Sequence, residues 1–247
     1  MAQYLHLFIS IVILLSLSAH GVCENIWHIS TGPDFETDID SQVISIVVKQ
    51  AYELSKEKVR ITSSPSWKRS LIEANAGRVD GELYRIKGIS KKFPNLVIIP
   101  IPVGNVSALA FTNKEKLKSL KIDSWNSLSN HSIGILNGIL YIEDESKKNN
   151  LKMIEKVQTY DQLLNVVYFN RVDFGVWSYP TYLSFIKDKR FNQLHIFKTP
   201  LSVEYLYHYI HKKNKNLIVK LTNALGIMQE NGEIKKIRKE FIDQLYK

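Results

Sequence analysis

Apolar positions along this chain switch repeatedly between two periods. Ile26 to Ile29 is a short apolar run that predicts a strand, and the polar loop STGPDFETD follows it. From Ile39 to Leu54 the spacing becomes helical, with Val43, Ile44, Val47, Ala51 and Leu54 on one face. Val59 to Thr62 predicts a second strand and Trp67 to Ala76 a second helix. Val79 to Leu83 and Leu96 to Val103 predict further strands, the latter apolar enough to be buried on both faces. The same grammar then restarts. Val106 to Thr112 and a Lys-rich helix, NKEKLKSLK, lead to SIGILNG, a strand ending in a glycine turn. A helix from Tyr141 to Lys148, a strand through Met153 to Val157 and a helix from Asp161 to Phe169 come next. Val172 to Trp177 and Leu194 to Phe197 read as strands. Asn216 to Tyr246 is a long helical region broken at Asn231-Gly232, and its last part is amphipathic through Ile234, Ile237, Phe241, Ile242 and Leu245. Alternation of this kind predicts an α/β protein with a largely parallel sheet.

Two segments make the repetition explicit. SLIEANAGRVDGEL, Ser70 to Leu83, superimposes on LLNVVYFNRVDFGV, Leu163 to Val176, through a shared Arg-Val-Asp. Gly77 or Asn170 precedes the arginine, and these residue types best tolerate the left-handed turn that closes a helix. Each segment is therefore read as a helix, an abrupt stop and a strand, which predicts two similar α/β lobes.

Composition narrows the class. At 247 residues, 45% hydrophobic and 23% charged, the chain has material for a real core and is neither disordered nor collagen-like. One cysteine, Cys23, excludes a disulfide scaffold. Residues 1–19 contain no Asp, Glu, Lys or Arg, and the run Leu5 to Leu17 falls short of the roughly 20 residues that span a bilayer. Ser18, Ala19 and Gly21 follow it, the layout of a secretory signal peptide over residues 1–21. The mature chain is then expected in the periplasm or secreted; a buried helix or an uncleaved anchor is the competing reading. The net charge is +9. Lys235, Lys236, Arg238 and Lys239 are expected on a solvated helix face, because no zinc finger, helix-turn-helix or aromatic RNA-binding motif accompanies them. No GxSxG elbow, HExxH or phosphate-binding loop occurs, and His208 and His211 lie three apart in a strand, where they would point oppositely.

An exported chain with two α/β lobes, a GRVD element, an NRVD echo and a terminal NGEIKKIRKEF resembles the extracytoplasmic solute-binding protein family 3. That family includes the amino-acid-binding components of ABC uptake systems. GRVDGELYRIKGISKKFPNLVIIPIPV and IGILNGILYIED are similar to a branch whose transporter is often unassigned, and the resemblance covers nearly all of the mature chain. It implies a type II periplasmic-binding-protein-like fold, two α/β lobes joined by a two-crossing hinge. Lobe one would be residues 24–111 plus 206–247 and lobe two 112–205, with crossings near Phe111-Thr112 and Ser202 to Tyr205. The implied function is capture of a small polar solute, amino-acid-like or a carboxylate, by clamshell closure of a monomer. No cofactor, metal or nucleic acid is implied, and a membrane permease or receptor would be the partner. Ligand sensing for a membrane receptor is one other reading. A dehydratase-like enzyme on the same fold, with Glu82 as general acid, is another.

Ligands of open α/β sheets bind beyond the carboxyl ends of the strands. That rule selects Thr31 to Phe35, Leu83 to Arg85, Asn137 to Tyr141 and Trp177 to Tyr179. Phe35 either covers the ligand or packs in its turn. Strand alternation sets Glu82 and Tyr84 on one face and Arg85 on the other. Arg85 is the expected anion anchor, a surface arginine or a partner for Glu82. The family's carboxylate-binding arginine comes slightly later, where this chain has Lys91 and Lys92. Ile139 stands where amino-acid binders have Ser or Thr, and Ser178 where they have an ammonium-binding Asp. Tyr141, Trp177 and Tyr179 would form an aromatic wall, stack on a cation or belong to the core.

Overall fold

The structure, a computed structural model, describes residues 25–33, 35–151, 153–178 and 191–245. The expected signal peptide and Tyr179 lie outside them. Strand β1 (Ile26–Thr31) leads to helix α1 (Ile39–Leu54), then β2 (Lys58–Ser63), α2 (Trp67–Asn75), β3 (Gly81–Ile86) and the long β4 (Leu96–Thr112). The second series is β5 (Ser132–Leu136), α3 (Leu140–Lys148), β6 (Met153–Val157), α4 (Tyr160–Tyr168) and β7 (Phe174–Ser178). A two-residue β8 (His195–Ile196), β9 (Ser202–His211), α5 (Lys215–Glu230) and α6 (Glu233–Leu245) complete it. Side-chain caps fix three helix starts. Asp38, Ser66 and Thr159 accept from the backbone N–H of Ser41, Arg69 and Gln162, satisfying amides that have no partner within the helix.

The strands form one sheet in the order β2-β1-β3-β9-β4-β7-β5-β6, with β8 beside β4. The sheet is mixed rather than largely parallel. β1 runs parallel to β2 and β3, and β5 to β6 and β7, whereas β4 and β9 run antiparallel to each other and to their outer neighbours. The reason is the chain path: β4 runs on for 17 residues through Gly104-Asn105, and β9 returns beside it. At Ala108, β4 faces Ser202 of β9 on one side and Ser178 of β7 on the other. One continuous core crosses that seam, from Ile29, Val47 and Leu83 to Ile133, Val167 and Val176.

The paired Arg-Val-Asp segments have the same structure. Gly77 and Asn170 adopt φ of 71° and 57°, the left-handed turn their residue types suit. The amides of Arg78 and Arg171 close the two helices by donating to Glu73 and Val166, at 3.1 and 2.9 Å. Each aspartate then docks onto the first strand of its own half. Asp80 accepts from the His28 amide at 3.0 Å and donates its own amide to the His28 carbonyl at 2.7 Å. Asp173 does the same with Ser132, at 2.9 Å in both directions.

Other expectations shift. The Lys-rich NKEKLKSLK makes only a short turn at Glu115–Leu117, because Leu117 is its one buried anchor. The stretches Leu96 to Val103 and Val106 to Thr112 are one strand. Arg238 is not simply solvated: it is half-buried, and its Nη2 lies 3.7 Å from Asp40. Replacing Asp80 or Asp173 by alanine should each cost about 1.5–3 kcal/mol, the worth of hydrogen bonds to a charged group. Urea denaturation measures this, and a loss below about 0.5 kcal/mol at either position would show that the docking bond is not structural.

Candidate functional site

The carboxyl ends of β1 and β3 approach those of β5 and β7 around the start of α1. Asp38, the N-cap of α1, is completely buried there. Its carboxylate accepts from the Ser41 amide (3.3 Å), the Ser41 hydroxyl, the Tyr84 hydroxyl (2.9 Å) and the Tyr160 hydroxyl (3.0 Å). Tyr84 comes from β3 and Tyr160 from α4, so one carboxylate ties the two series of elements together. Burial, reinforced by the Asp38 charge, pushes both phenols well above their ordinary value, keeping them donors.

Asp40, two residues further, makes a second tie. The Ser178 hydroxyl at the end of β7 donates to it, and Arg238 of α6 lies on its other oxygen. Burial foremost, then the charge of Asp38, pushes its carboxyl up to about 7, against the pull of Arg238 and Ser178. A third contact is steric. Gly138, at φ 86°, brings the turn after β5 so close to α2 that a Cβ there would sit 2.7 Å from the Lys68 amide nitrogen. Lys92 and Asp144 add an exposed ion pair at 2.9 Å, worth little in water.

Between these ties lies a cavity of about 40 Å3, lined by Asp40, Trp67, Tyr84, Arg85, Tyr141 and Trp177 together with apolar residues such as Ile139 and Leu206. Small-molecule pockets run to roughly 300–1,000 Å3, so the protein's own side chains fill most of this cleft. Trp67, the first residue of α2, lies with its ring centre 5.8 Å from that of Tyr84 and 6.4 Å from that of Trp177. Trp177 in turn meets Tyr160 edge-on at 5.1 Å.

Arg85 is buried in this wall. Its guanidinium carbon stands 4.7 Å above the Trp67 ring, a cation–π contact, and its Nη2 donates to the Trp67 carbonyl at 3.0 Å. The same nitrogen pairs with Glu82 at 2.5 Å. Simple alternation would separate Glu82 from Arg85; instead the β3–β9 register shifts between them, and this irregularity lets the two side chains meet. Glu82 is fully buried, takes a hydrogen bond from Ser70 and has its carboxyl pushed up to about 7 by burial, which outweighs Arg85 and Ser70. It is not one of the described residues lining the cavity.

Of the other expected site residues, Tyr84, Tyr141 and Trp177 line the cavity and Ser178 reaches it through Asp40. Phe35 is half-buried against the main core, and Asn137 is held by its amide to the Val157 carbonyl at 2.8 Å. Neither lines the cavity. His208 and His211 have separate partners, Tyr52 and Leu83 for the first and the Lys213 amide for the second. Sequence reasoning missed Asp38, Asp40, Trp67 and Tyr160. For Asp38 a signal existed, a capping aspartate three residues before Ser41 at a helix start. Among the described residues no group of three or more His, Cys, Asp or Glu could hold a metal ion, and no helix is long and apolar enough to cross a membrane.

No family model matches the sequence, and no curated protein matches it. Solved structures do resemble it over most of its length. A histidine kinase sensor domain with similarity to periplasmic binding proteins superposes with a TM-score of 0.74 at 14% identity, covering 88% of this chain and 96% of that one. An ancestral arginine-binding protein bound to arginine gives 0.69 at 18%, over 87% and 97%. An amino acid ABC transporter substrate-binding protein from Streptococcus pneumoniae, bound to L-arginine, gives 0.69 at 14%, over 88% and 94%. The fold is the type II periplasmic-binding-protein fold.

Two measurements check this site. Tyr160→Phe keeps the ring and removes one bond to Asp38, so urea denaturation should show a loss of about 1.5–3 kcal/mol; no loss would contradict the tie. The second concerns pH. Asp40 and Glu82 bind protons more tightly when folded, so each contributes stability that is complete below its unfolded value and lost as pH rises through about 7. His208, pushed down to about 4 by burial, works oppositely, but only below its ordinary 6.5. The melting temperature should therefore rise by a few degrees from pH 8 to pH 6.5, and less in Glu82→Gln. A flat or falling profile would contradict the assignment.

Proposed function

We propose that this protein is an extracytoplasmic receptor that captures a small polar solute, amino-acid-like or a carboxylate, between two lobes for uptake. The observation that carries this reading is the cavity at the carboxyl ends of strands from both series, with a buried guanidinium and a wall of aromatic rings. In this reading residues 24–111 with 206–247 are one lobe, residues 112–205 the other, and β4 and β9 the hinge. Residues 1–21 are the export signal, and a membrane permease receives the closed, monomeric protein. Ligand would bind both lobes only in a closed state, so binding shifts the population towards it. The bonds at Asp38 and Asp40 must loosen first, because about 40 Å3 does not admit such a solute.

Sensing for a membrane receptor is a second reading, supported by the superposition on a kinase sensor domain over 96% of that domain. The enzyme reading has less support. Glu82 has the burial and raised carboxyl of a general acid, but it lies behind Arg85 and is not on the cavity wall. We therefore read the protein as a binder rather than an enzyme.

A thermal-shift panel of amino acids, polyamines and carboxylates, read together with tryptophan fluorescence, tests the proposal. At 100 times its dissociation constant a true ligand stabilises by about 2.7 kcal/mol. It should also change fluorescence by an amount that Trp67→Phe diminishes. No shift with any solute of the panel would contradict a solute-binding role.

A further inference from the structure

The hydrogen-bonding capacity around the cavity is one-sided. Trp67 Nε1, Arg85 Nε, Tyr141 Oη and Trp177 Nε1 have no hydrogen-bond partner among the described residues, and all four residues line the cavity. The four residues are at most 7% exposed. Indole and guanidinium N–H groups can only donate. The neighbouring carboxylates, by contrast, each already face a cation or hydroxyl donors. Asp38 holds four donors, Asp40 faces Ser178 and Arg238, and Glu82 pairs with Arg85 and Ser70.

Two helix starts border the cavity. Trp67 opens α2, while Leu140 and Tyr141 open α3, whose N-cap Ile139 supplies no side-chain hydrogen bond. Helix N-termini favour negative charge. The remaining lining is aliphatic, including Ile86, Ile89 and Val106.

We propose that the cleft selects a small carboxylate that carries no ammonium group and is joined to an apolar or aromatic body. This rests on the solute-binding reading above and narrows it. A carboxylate supplies acceptors to the unpaired donors. An ammonium would bring three further donors to a wall whose carboxylates are already engaged, and each unmet buried group costs on the order of tenfold in affinity. The aliphatic and aromatic walls take the body of the ligand.

Calorimetric titration with matched pairs tests this: 3-phenylpropanoate against phenylalanine, and 4-methylpentanoate against leucine. The carboxylate of at least one pair should bind about tenfold or more tighter than its amino acid. Trp177→Phe and Tyr141→Phe remove one donor each, and the second keeps its ring. Each should weaken that carboxylate about tenfold; in Tyr141→Phe the melting temperature of the unliganded protein should hold or rise, since an unpaired buried donor is gone, whereas Trp177→Phe should lower it by leaving a void beside Tyr160 and Trp67. Equal or tighter binding of the amino acids would overturn the selectivity and leave the receptor reading standing. So would binding of a polyamine with none of the four probes bound. Failure of every amino acid, carboxylate and polyamine to bind would overturn both.

Discussion

A carboxylate buried in the middle of a protein must be met by donors, because an unpaired charge there is far costlier than a lost hydrogen bond. Asp38 imposes that constraint on this fold. Completely buried at the start of α1, it draws the Ser41 amide and hydroxyl from its own helix, Tyr84 from β3 and Tyr160 from α4. Tyr160 brings the edge of its ring to Trp177, and Tyr84 does the same for Trp67. The two indoles and Arg85 then fill the space between the two strand series. The narrow cavity is thus a consequence of satisfying one charge.

The rest of the scaffold holds those elements in place from behind. Asp80 and Asp173 dock the two helix–strand turns on β1 and β5, so β3 and β7 end at comparable levels, and each ends at the cleft. β4 and β9 carry the chain between the two series as a continuous antiparallel ladder. In this fold two strands join the two series, and the hydrogen bonds at Asp38 and Asp40 tie the series together at the cleft.

Much of this was legible in the sequence because it is local. The change from helical to strand period gave the order of elements, and Gly77 and Asn170 turned left where their residue types allow it. The break at Asn231-Gly232 separates α5 from α6 as its turn residues suggest. The site was half legible. Tyr84, Arg85, Tyr141 and Trp177, expected from strand ends, line the cavity, whereas Phe35 and Asn137 shared that signal and do not line it. What escaped depends on partners remote in sequence. Tyr160 meets Asp38 across 122 residues, and Ser178 meets Asp40 across 138. The irregularity that turns Arg85 towards Glu82 comes from pairing with β9, so no pattern within GELYRI reveals it.

Whether Asp38 ties the two strand series together in the unliganded protein can be measured directly. Spin labels on cysteines at the exposed positions 72 and 147, in a Cys23→Ser background, report the separation of α2 and α3 by pulsed dipolar spectroscopy. One narrow distance is predicted for the otherwise native protein without ligand. A broader and longer distribution is predicted for Asp38→Asn, which removes the charge the tyrosines share. Identical distributions in the two proteins, or a broad one in both, would contradict the account.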